Sequence, residues 1–225
     1  DSTAVLEVLS PIWLEIPDTA RRILQRIGVV LDFAHIKGWL SNEVSLRSVR
    51  KGLPRQTEKA GHFVAMPYAD VPALIAKLVA APPTTGRDAL RFTIYNAVRS
   101  NETRFAVWTE FDLDNAVWTI PGERMKAGET YVVPLSPPAV ALLRRRWNER
   151  TSDAGLVFTN NGERPISDMT MTKLLRDAGM TGVTVHGFRS AFTDWAAETT
   201  DIPKEVADKA LAHKLPNRVE AAYRR

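Results

Sequence analysis

Four short segments of the chain place a cation or an imidazole where an anionic group could be gripped. In Val98-Arg99-Ser100-Asn101-Glu102, Arg99 and Glu102 stand three apart at an expected helix start, so they share a face and the carboxylate can hold the guanidinium in place. Taken alone, such a pair is most often a surface ion pair. The apolar run 89–98 before it would deliver Arg99 from a buried helix. Met125-Lys126-Ala127-Gly128 sets an ammonium on a turn, usually a solvated position but one from which a proton can be donated to an oxygen. In Val185-His186-Gly187-Phe188-Arg189, His186 and Arg189 are again three apart at a helix start, near its positive end. The fourth segment, Ala210-Leu211-Ala212-His213-Lys214, is followed ten residues on by Ala221-Ala222-Tyr223-Arg224. Each segment alone has a bland reading, but together they make a set for one reaction. Arginine forks suit the non-bridging oxygens of a phosphodiester and the charge that builds as phosphorus is attacked. A lysine can protonate a leaving 5′ oxygen. A tyrosine hydroxyl becomes a nucleophile near neutrality only with a base or a dense positive field around it. Such a site needs no metal and no cofactor.

The elements that must carry these groups can be read from periodicity and breakers. Apolar positions 23, 24, 27, 30, 31 and 34 form one helical stripe, with Asp18 as the expected N-cap and Gly38 as the stop. Residues 41–66 lose periodicity and turn basic, which predicts a boundary near 50–62. Asp70 can cap a helix running to about Ala80, broken by Pro82-Pro83, and helices are expected over 85–98 and from about Glu102. Residues 117–120 and 131–133 read as short strands around the turn 121–130, with another turn at Asp114-Asn115 beside the acidic cluster Glu110, Asp112 and Asp114. Further helices are expected at 137–150, 168–178, 187–199 and 203–211, and one more reaching Tyr223. Phe188, Phe192 and Trp195 are expected to face the core. The class is mainly α with a small antiparallel β-sheet.

Composition bounds the setting. The 225 residues carry 30 basic against 26 acidic side chains, a net charge of +4 that permits nucleic-acid binding without demanding it. The absence of cysteine excludes disulfides, thiol nucleophiles and cysteine-ligated zinc or iron–sulfur centres, and leans towards a reducing compartment. No apolar run approaches the roughly 18 residues that span a bilayer, and no signal-peptide pattern opens the chain, so no membrane partner is expected. The chain begins at Asp1 without methionine, which reads as a fragment. Between Arg47 and Lys59 the five cations Arg47, Arg50, Lys51, Arg55 and Lys59 face one acid, Glu58. On charge alone this is a solvated linker; the sharper reading is a strap along phosphates.

The order Arg99, Lys126, His186-x-x-Arg189, His213, Tyr223 resembles the tyrosine recombinase, or phage integrase, family. The runs Trp108-Thr109-Glu110-Phe111-Asp112-Leu113, Trp118-Thr119-Ile120-Pro121, Arg124-Met125-Lys126 and Val133-Pro134-Leu135-Ser136 look like its prophage and genomic-island branch. Asp194-Trp195-Ala196-Ala197-Glu198 and Val219-Glu220-Ala221-Ala222-Tyr223-Arg224-Arg225 strengthen the likeness. The resemblance implies the end of a helical core-binding domain over 1–50, a basic linker over 51–66 and a catalytic domain over 67–225 that stops just after the nucleophile. It implies that Tyr223 attacks the scissile phosphate to give a 3′-phosphotyrosyl link, that Arg99 and Arg189 clamp the phosphate, and that Lys126 is the general acid. His186 would serve in proton transfer, His213 would bind the phosphate and Glu102 would support Arg99. It further implies integration or excision of a prophage or genomic island, duplex attachment sites, a tetramer on DNA, accessory DNA-bending or directionality factors, and the bacterial cytoplasm at the nucleoid.

The chain departs from the family pattern at several places. Asn96-Ala97-Val98 replaces a common Thr-Gly or Thr-Ala, Asn101 stands where a small residue or proline is frequent, and Tyr131 stands where a basic residue or histidine is common, which would remove a DNA-backbone contact. Relatives usually continue past the tyrosine, whereas this chain ends at Arg225, so the isolated piece is expected to be monomeric or to associate weakly, and an amino-terminal arm-binding domain would be absent. Three rivals share these residues. A type IB topoisomerase-like enzyme would nick and reseal one strand, a phosphodiesterase would use His186 and His213 as an acid–base pair without a covalent adduct, and an inactive prophage remnant would bind DNA without cutting it.

Overall fold

The computed structural model describes residues 1–56, 65–150 and 155–213. The chain divides into two compact units, Asp1–Gly61 and His62–Arg225. Arg55 lies within the described residues, while Lys59 and Tyr223 lie outside them.

The first unit is built from helices α1 (Ser2–Leu9), α2 (Pro17–Ile36) and α3 (Leu46–Gly52). Pro17 takes the first position of α2, where its missing N–H costs nothing, so Asp18 falls in the first turn and pairs with Arg21 instead of capping. Gly38 does end α2: it sits at φ +71°, and the N–H of Trp39 returns to the Ala34 carbonyl (2.9 Å). Ala20 and Leu24 of α2 pack with Val5, Leu9, Trp13, Val49 and Leu53. Helix α3 lies within the stretch 41–66, where the sequence shows no periodicity. Ser45 accepts the N–H of Ser48 as its cap, and Val49 is the only residue the helix buries, too little apolar pattern to read in the sequence. Arg47, Arg50 and Lys51 therefore stand exposed on a helix, and Arg55 is exposed just beyond it. Gln56 donates to the Trp13 carbonyl (2.6 Å) and the Trp13 indole donates to the Pro54 carbonyl (2.8 Å), which ties this stretch back to the unit.

The second unit centres on α5 (Thr85–Asn96), which packs on α4 (Val71–Ala80), α7 (Pro137–Glu149) and α8 (Asp168–Asp177). Phe92 of α5 is fully buried, with the rings of Trp118 and Phe158 both 5.3 Å away. Trp118 belongs to a three-stranded antiparallel sheet, β1 (Phe111–Asp112), β2 (Val117–Ile120) and β3 (Tyr131–Pro134), in the order β1-β2-β3 with Trp118 opposite Phe111 and Val133. Helices α6 (Ser100–Arg104), α9 (Gly187–Thr199) and α10 (Lys204–Ala210) complete the described unit. The fold is mainly α with a small antiparallel sheet, as expected from the sequence. Strand β1 went unread because two residues carry no period. Trp195 corrects another expectation: it is 39% exposed, and Ala191 and Ala196 face the core beside Phe188, with Phe192 only half-buried. Among the described residues no helix is long and apolar enough to cross a membrane.

One buried charge cluster holds α5 to α7. Asp88 is 1% exposed and receives Arg145 Nη2 (2.6 Å) and Arg146 Nη1 (3.0 Å), with Arg91 Nη1 at 3.8 Å. Asp88→Ala would leave three crowded cations without their carboxylate. Removing one partner of a buried ion pair costs several kcal/mol, less here because Arg145 is partly solvated, so the unfolding free energy should fall by about 2–3 kcal/mol. Urea denaturation checks this, and a loss below about 0.5 kcal/mol would show the cluster to be ornamental.

Candidate functional site

Arg99 immediately precedes α6, and Glu102 at the third helical position serves it twice. Glu102 Oε2 accepts the Arg99 backbone N–H (2.7 Å) and Oε1 accepts from Arg99 Nη1 (2.7 Å). The carboxylate is 5% exposed, so it anchors a guanidinium whose side chain keeps 28% of its surface open. The sequence expectation that Glu102 holds Arg99 is thus met geometrically. Helix α6 is itself pinned to α5 by the buried Thr93 hydroxyl, which donates to the Ala89 carbonyl (2.7 Å) and pairs with the Thr103 hydroxyl (2.8 Å).

His186 and Arg189 stand at the start of α9. The Thr184 hydroxyl accepts the Gly187 N–H (3.0 Å), which fixes where the helix begins. Arg189 is 5% exposed, and its guanidinium donates to the carbonyls of Ala97 (2.6 Å) and Leu211 (2.5 Å). Both carbonyls lie where a helix ends, α5 before Arg99 and α10 before His213, so the cation meets two partially negative C-termini. At each end an alanine turns left-handed, Ala97 at φ +47° and Ala212 at φ +50°, a conformation that costs a residue with a Cβ about 1–2 kcal/mol. Arg189 Nη2 also lies 3.2 Å from His213 Nε2.

The charges of these groups are felt mutually. Surrounding protein displaces water from the His186 ring and, with the cations Arg189 and Arg99 and the neighbouring His213, holds its pKa below the ordinary imidazole value. Burial and Arg99 also lower the Arg189 pKa, opposed by Glu102 and Tyr131. Neutral His186 therefore accompanies a cluster with excess positive charge, the electrostatics expected of an anion site. Because the folded-state pKa is depressed, His186 contributes its stability fully above the unfolded value of about 6.5, and that contribution is lost as pH falls through the folded value. An NMR titration should place the His186 midpoint below that of the urea-unfolded chain. Added inorganic phosphate, by offsetting the two arginines, should raise it. A midpoint unmoved by phosphate would contradict an anion site here.

Lys126 is exposed on the turn between β2 and β3. Its neighbour Met125 is buried, and a Cβ at Gly122 would meet the Gly128 carbonyl oxygen at 2.6 Å, so the turn closes only with glycine there. Arg124, part of the Arg124-Met125-Lys126 run, ties this turn to the Arg99 segment. It pairs with Glu110, which also accepts the Trp118 indole N–H (2.9 Å), and Arg124 Nη2 donates to the Glu102 carbonyl (2.5 Å). The acidic cluster disperses in the structure: Glu110 meets Arg124, Asp112 accepts the N–H groups of Asp114 and Asn115, and Asp114 pairs with Arg144. Tyr131 has an internal partner, its hydroxyl donating to the Ala210 carbonyl (2.6 Å), and burial raises its pKa. The structure thus gathers Arg99, Glu102, His186, Arg189, His213 and Tyr131. Lys126 stands on a turn joined to the Arg99 segment through Arg124, and Tyr223 lies outside the described residues.

Residues 66–225 match the model of the phage integrase family, and residues 1–49 match that of the phage integrase central domain. The integrase of Enterobacteria phage P4 is 31% identical over 225 residues, covering 92% of this chain and 50% of that protein. Prophage integrase IntZ of Escherichia coli K12 is 30% identical over 211 residues, covering 92% and 51%. The chain therefore spans about half the length of these relatives. Among solved structures, a lambda integrase tetramer bound to a Holliday junction superposes with TM-score 0.67 at 15% identity, covering 96% of this chain and 65% of that one. XerA recombinase gives 0.55 at 18% identity, covering 85% and 75%. At these identities the likeness is one of fold.

Proposed function

The chain belongs to the phage integrase family, and we propose that it cleaves and rejoins duplex DNA as a site-specific tyrosine recombinase. The observation that carries this reading is the gathering of Arg189, Arg99, His186 and His213, in which both arginines hold the His186 pKa down. A phosphodiester would bring these two arginines an anion besides Glu102. In the proposed reaction Tyr223 Oη bonds to phosphorus as the P–O5′ bond breaks. The 5′ oxygen takes a proton from Lys126, and His186 relays the proton of the tyrosine. Arg99, Arg189 and His213 bind the non-bridging oxygens, and Glu102 holds Arg99. The ester keeps the bond energy, so a 5′-hydroxyl from a second duplex can reverse the step without a cofactor.

The partners in this reading are duplex attachment sites and further recombinase subunits. The Holliday-junction tetramer of lambda integrase, which shares the fold, supports that assembly. Residues 1–50 would be the end of a core-binding domain and 67–225 the catalytic domain. Arg47, Arg50, Lys51, Arg55 and Lys59 would lie along phosphates, a contact that weakens with salt and ignores sequence. The setting would be the bacterial cytoplasm, on integrating or excising elements with accessory factors.

The test incubates the chain, in EDTA, with a pool of nicked duplexes of randomised sequence and a second duplex bearing a free 5′-hydroxyl. Joined products that cross from one duplex to the other are expected. Resealing confined to the original duplex would favour the topoisomerase-like reading, and binding without any cleavage would overturn catalysis altogether.

A further inference from the structure

Helix α10 ends in a closed turn that sets two polar side chains against each other. The N–H of His213 donates to the Asp208 carbonyl (2.9 Å) and the N–H of Ala212 to the Lys209 carbonyl (2.9 Å), with Ala212 left-handed between them. This pairing folds the third residue past the helix end back over the third from last, a place usually filled by an apolar contact. Here it brings Asp208 Oδ1 to 3.1 Å from His213 Nδ1. On the opposite edge of the ring, His213 Nε2 lies 3.2 Å from Arg189 Nη2. A guanidinium has donors only, so Nε2 must accept, the ring proton must sit on Nδ1, and Asp208 must accept it. The hydrogen bonds of three side chains thus allow one tautomer.

We propose that Asp208 is a positioning residue for His213, holding the ring plane and the Nδ1 proton so that Nε2 accepts from the Arg189 guanidinium in the free chain and, on taking up a proton there, donates to the phosphate that guanidinium would bind. The phosphate part rests on the recombinase reading above; the tautomer does not. Neither side chain is deeply buried, with 25% of Asp208 and 45% of His213 exposed, so water competes for Nδ1 once the carboxylate is gone. Outer carboxylates that orient a functional histidine typically contribute about 10–100-fold, measured at metal sites, and a similar range is expected here.

The test has two arms. In the first, the 15N-labelled full chain is examined by NMR at a pH where the ring is neutral, with His213→Gln identifying the His213 signals. The wild type should show the proton on Nδ1, and Asp208→Ala should lower the Nδ1-protonated fraction, since Arg189 alone then favours that tautomer. A proton on Nε2 in the wild type would overturn the proposal without any reference to DNA. In the second arm, Asp208→Ala should slow DNA cleavage about 10–100-fold, Asp208→Asn, which keeps an acceptor oxygen, should recover part of that loss, and Asp208→Ala should add nothing in a His213→Ala background. Equal losses in both backgrounds would make Asp208 merely structural. A wild type that shows the Nδ1 tautomer but cuts no DNA would sink the recombinase reading and leave the assignment of the ring intact.

Discussion

Replacing Arg189 by alanine is expected to damage folding and chemistry together. The side chain is 5% exposed and donates to Ala97, Leu211 and His213, so its loss strands two carbonyls at helix ends that were already strained by left-handed alanines. A buried group left without its partner costs about 1–3 kcal/mol, and two such groups predict a loss of about 3–4 kcal/mol in unfolding free energy. Cleavage should fall about 10²–10³-fold, the scale seen when one preorganised donor to a developing oxyanion is removed. Arg189→Lys separates the two effects. It retains a cation but cannot fork between both carbonyls, so it should recover part of the stability while remaining about 10²-fold slow. Urea denaturation and single-turnover cleavage read both quantities. A stable Arg189→Ala protein would contradict the bonding described here.

Arg99→Ala should separate chemistry from folding cleanly. Glu102 accepts both the guanidinium and the backbone N–H of residue 99, and the second bond survives the substitution. The side chain is more open than that of Arg189, so the stability loss should stay near 1 kcal/mol. Cleavage should nonetheless fall about 10²–10³-fold, because in the proposed reaction the free end of the guanidinium binds the phosphate. Two arginines assigned the same role are therefore expected to differ by about 2–3 kcal/mol in what they do for the fold. If Arg99→Ala unfolds as readily as Arg189→Ala, the distinction fails. If it cleaves at the wild-type rate, Arg99 is not in the site.

The parts of this site that were legible in the sequence are those governed by local rules. Arg99 with Glu102, and His186 with Arg189, stand three apart, and helical spacing alone puts such pairs on one face. Lys126 was legible as a turn residue because Gly122 and Gly128 punctuate its surroundings. Arg124 and Asp208 were not legible, for different reasons. Arg124 acts through a backbone carbonyl 22 residues away, which no side-chain pattern announces. Asp208 meets His213 only because α10 closes through a left-handed residue, and that residue is alanine where glycine would have signalled the turn. Tyr131 read as a lost DNA contact; the structure gives its hydroxyl to the Ala210 carbonyl, a bond across 79 residues that no local pattern announces. Trp195 was expected in the core from its type, but the small residues Ala191 and Ala196 allow closer packing on the buried face and leave the indole outside.

The chain has four tyrosines, and two of them, Tyr131 and Tyr223, can be weighed as the nucleophile. Tyr131 is the one described beside Arg189, yet its hydroxyl is committed to a carbonyl and its pKa is raised by burial, both of which oppose attack on phosphorus. Tyr223 as nucleophile is therefore checked by trapping the chain on a nicked duplex, digesting the adduct with protease and nuclease, and locating the attached nucleotide by mass spectrometry. A 3′-phosphonucleotide on the Tyr223 peptide is expected, and no adduct from Tyr223→Phe. A nucleotide on Tyr131, or cleaved DNA with no nucleotide on any tyrosine, would contradict it.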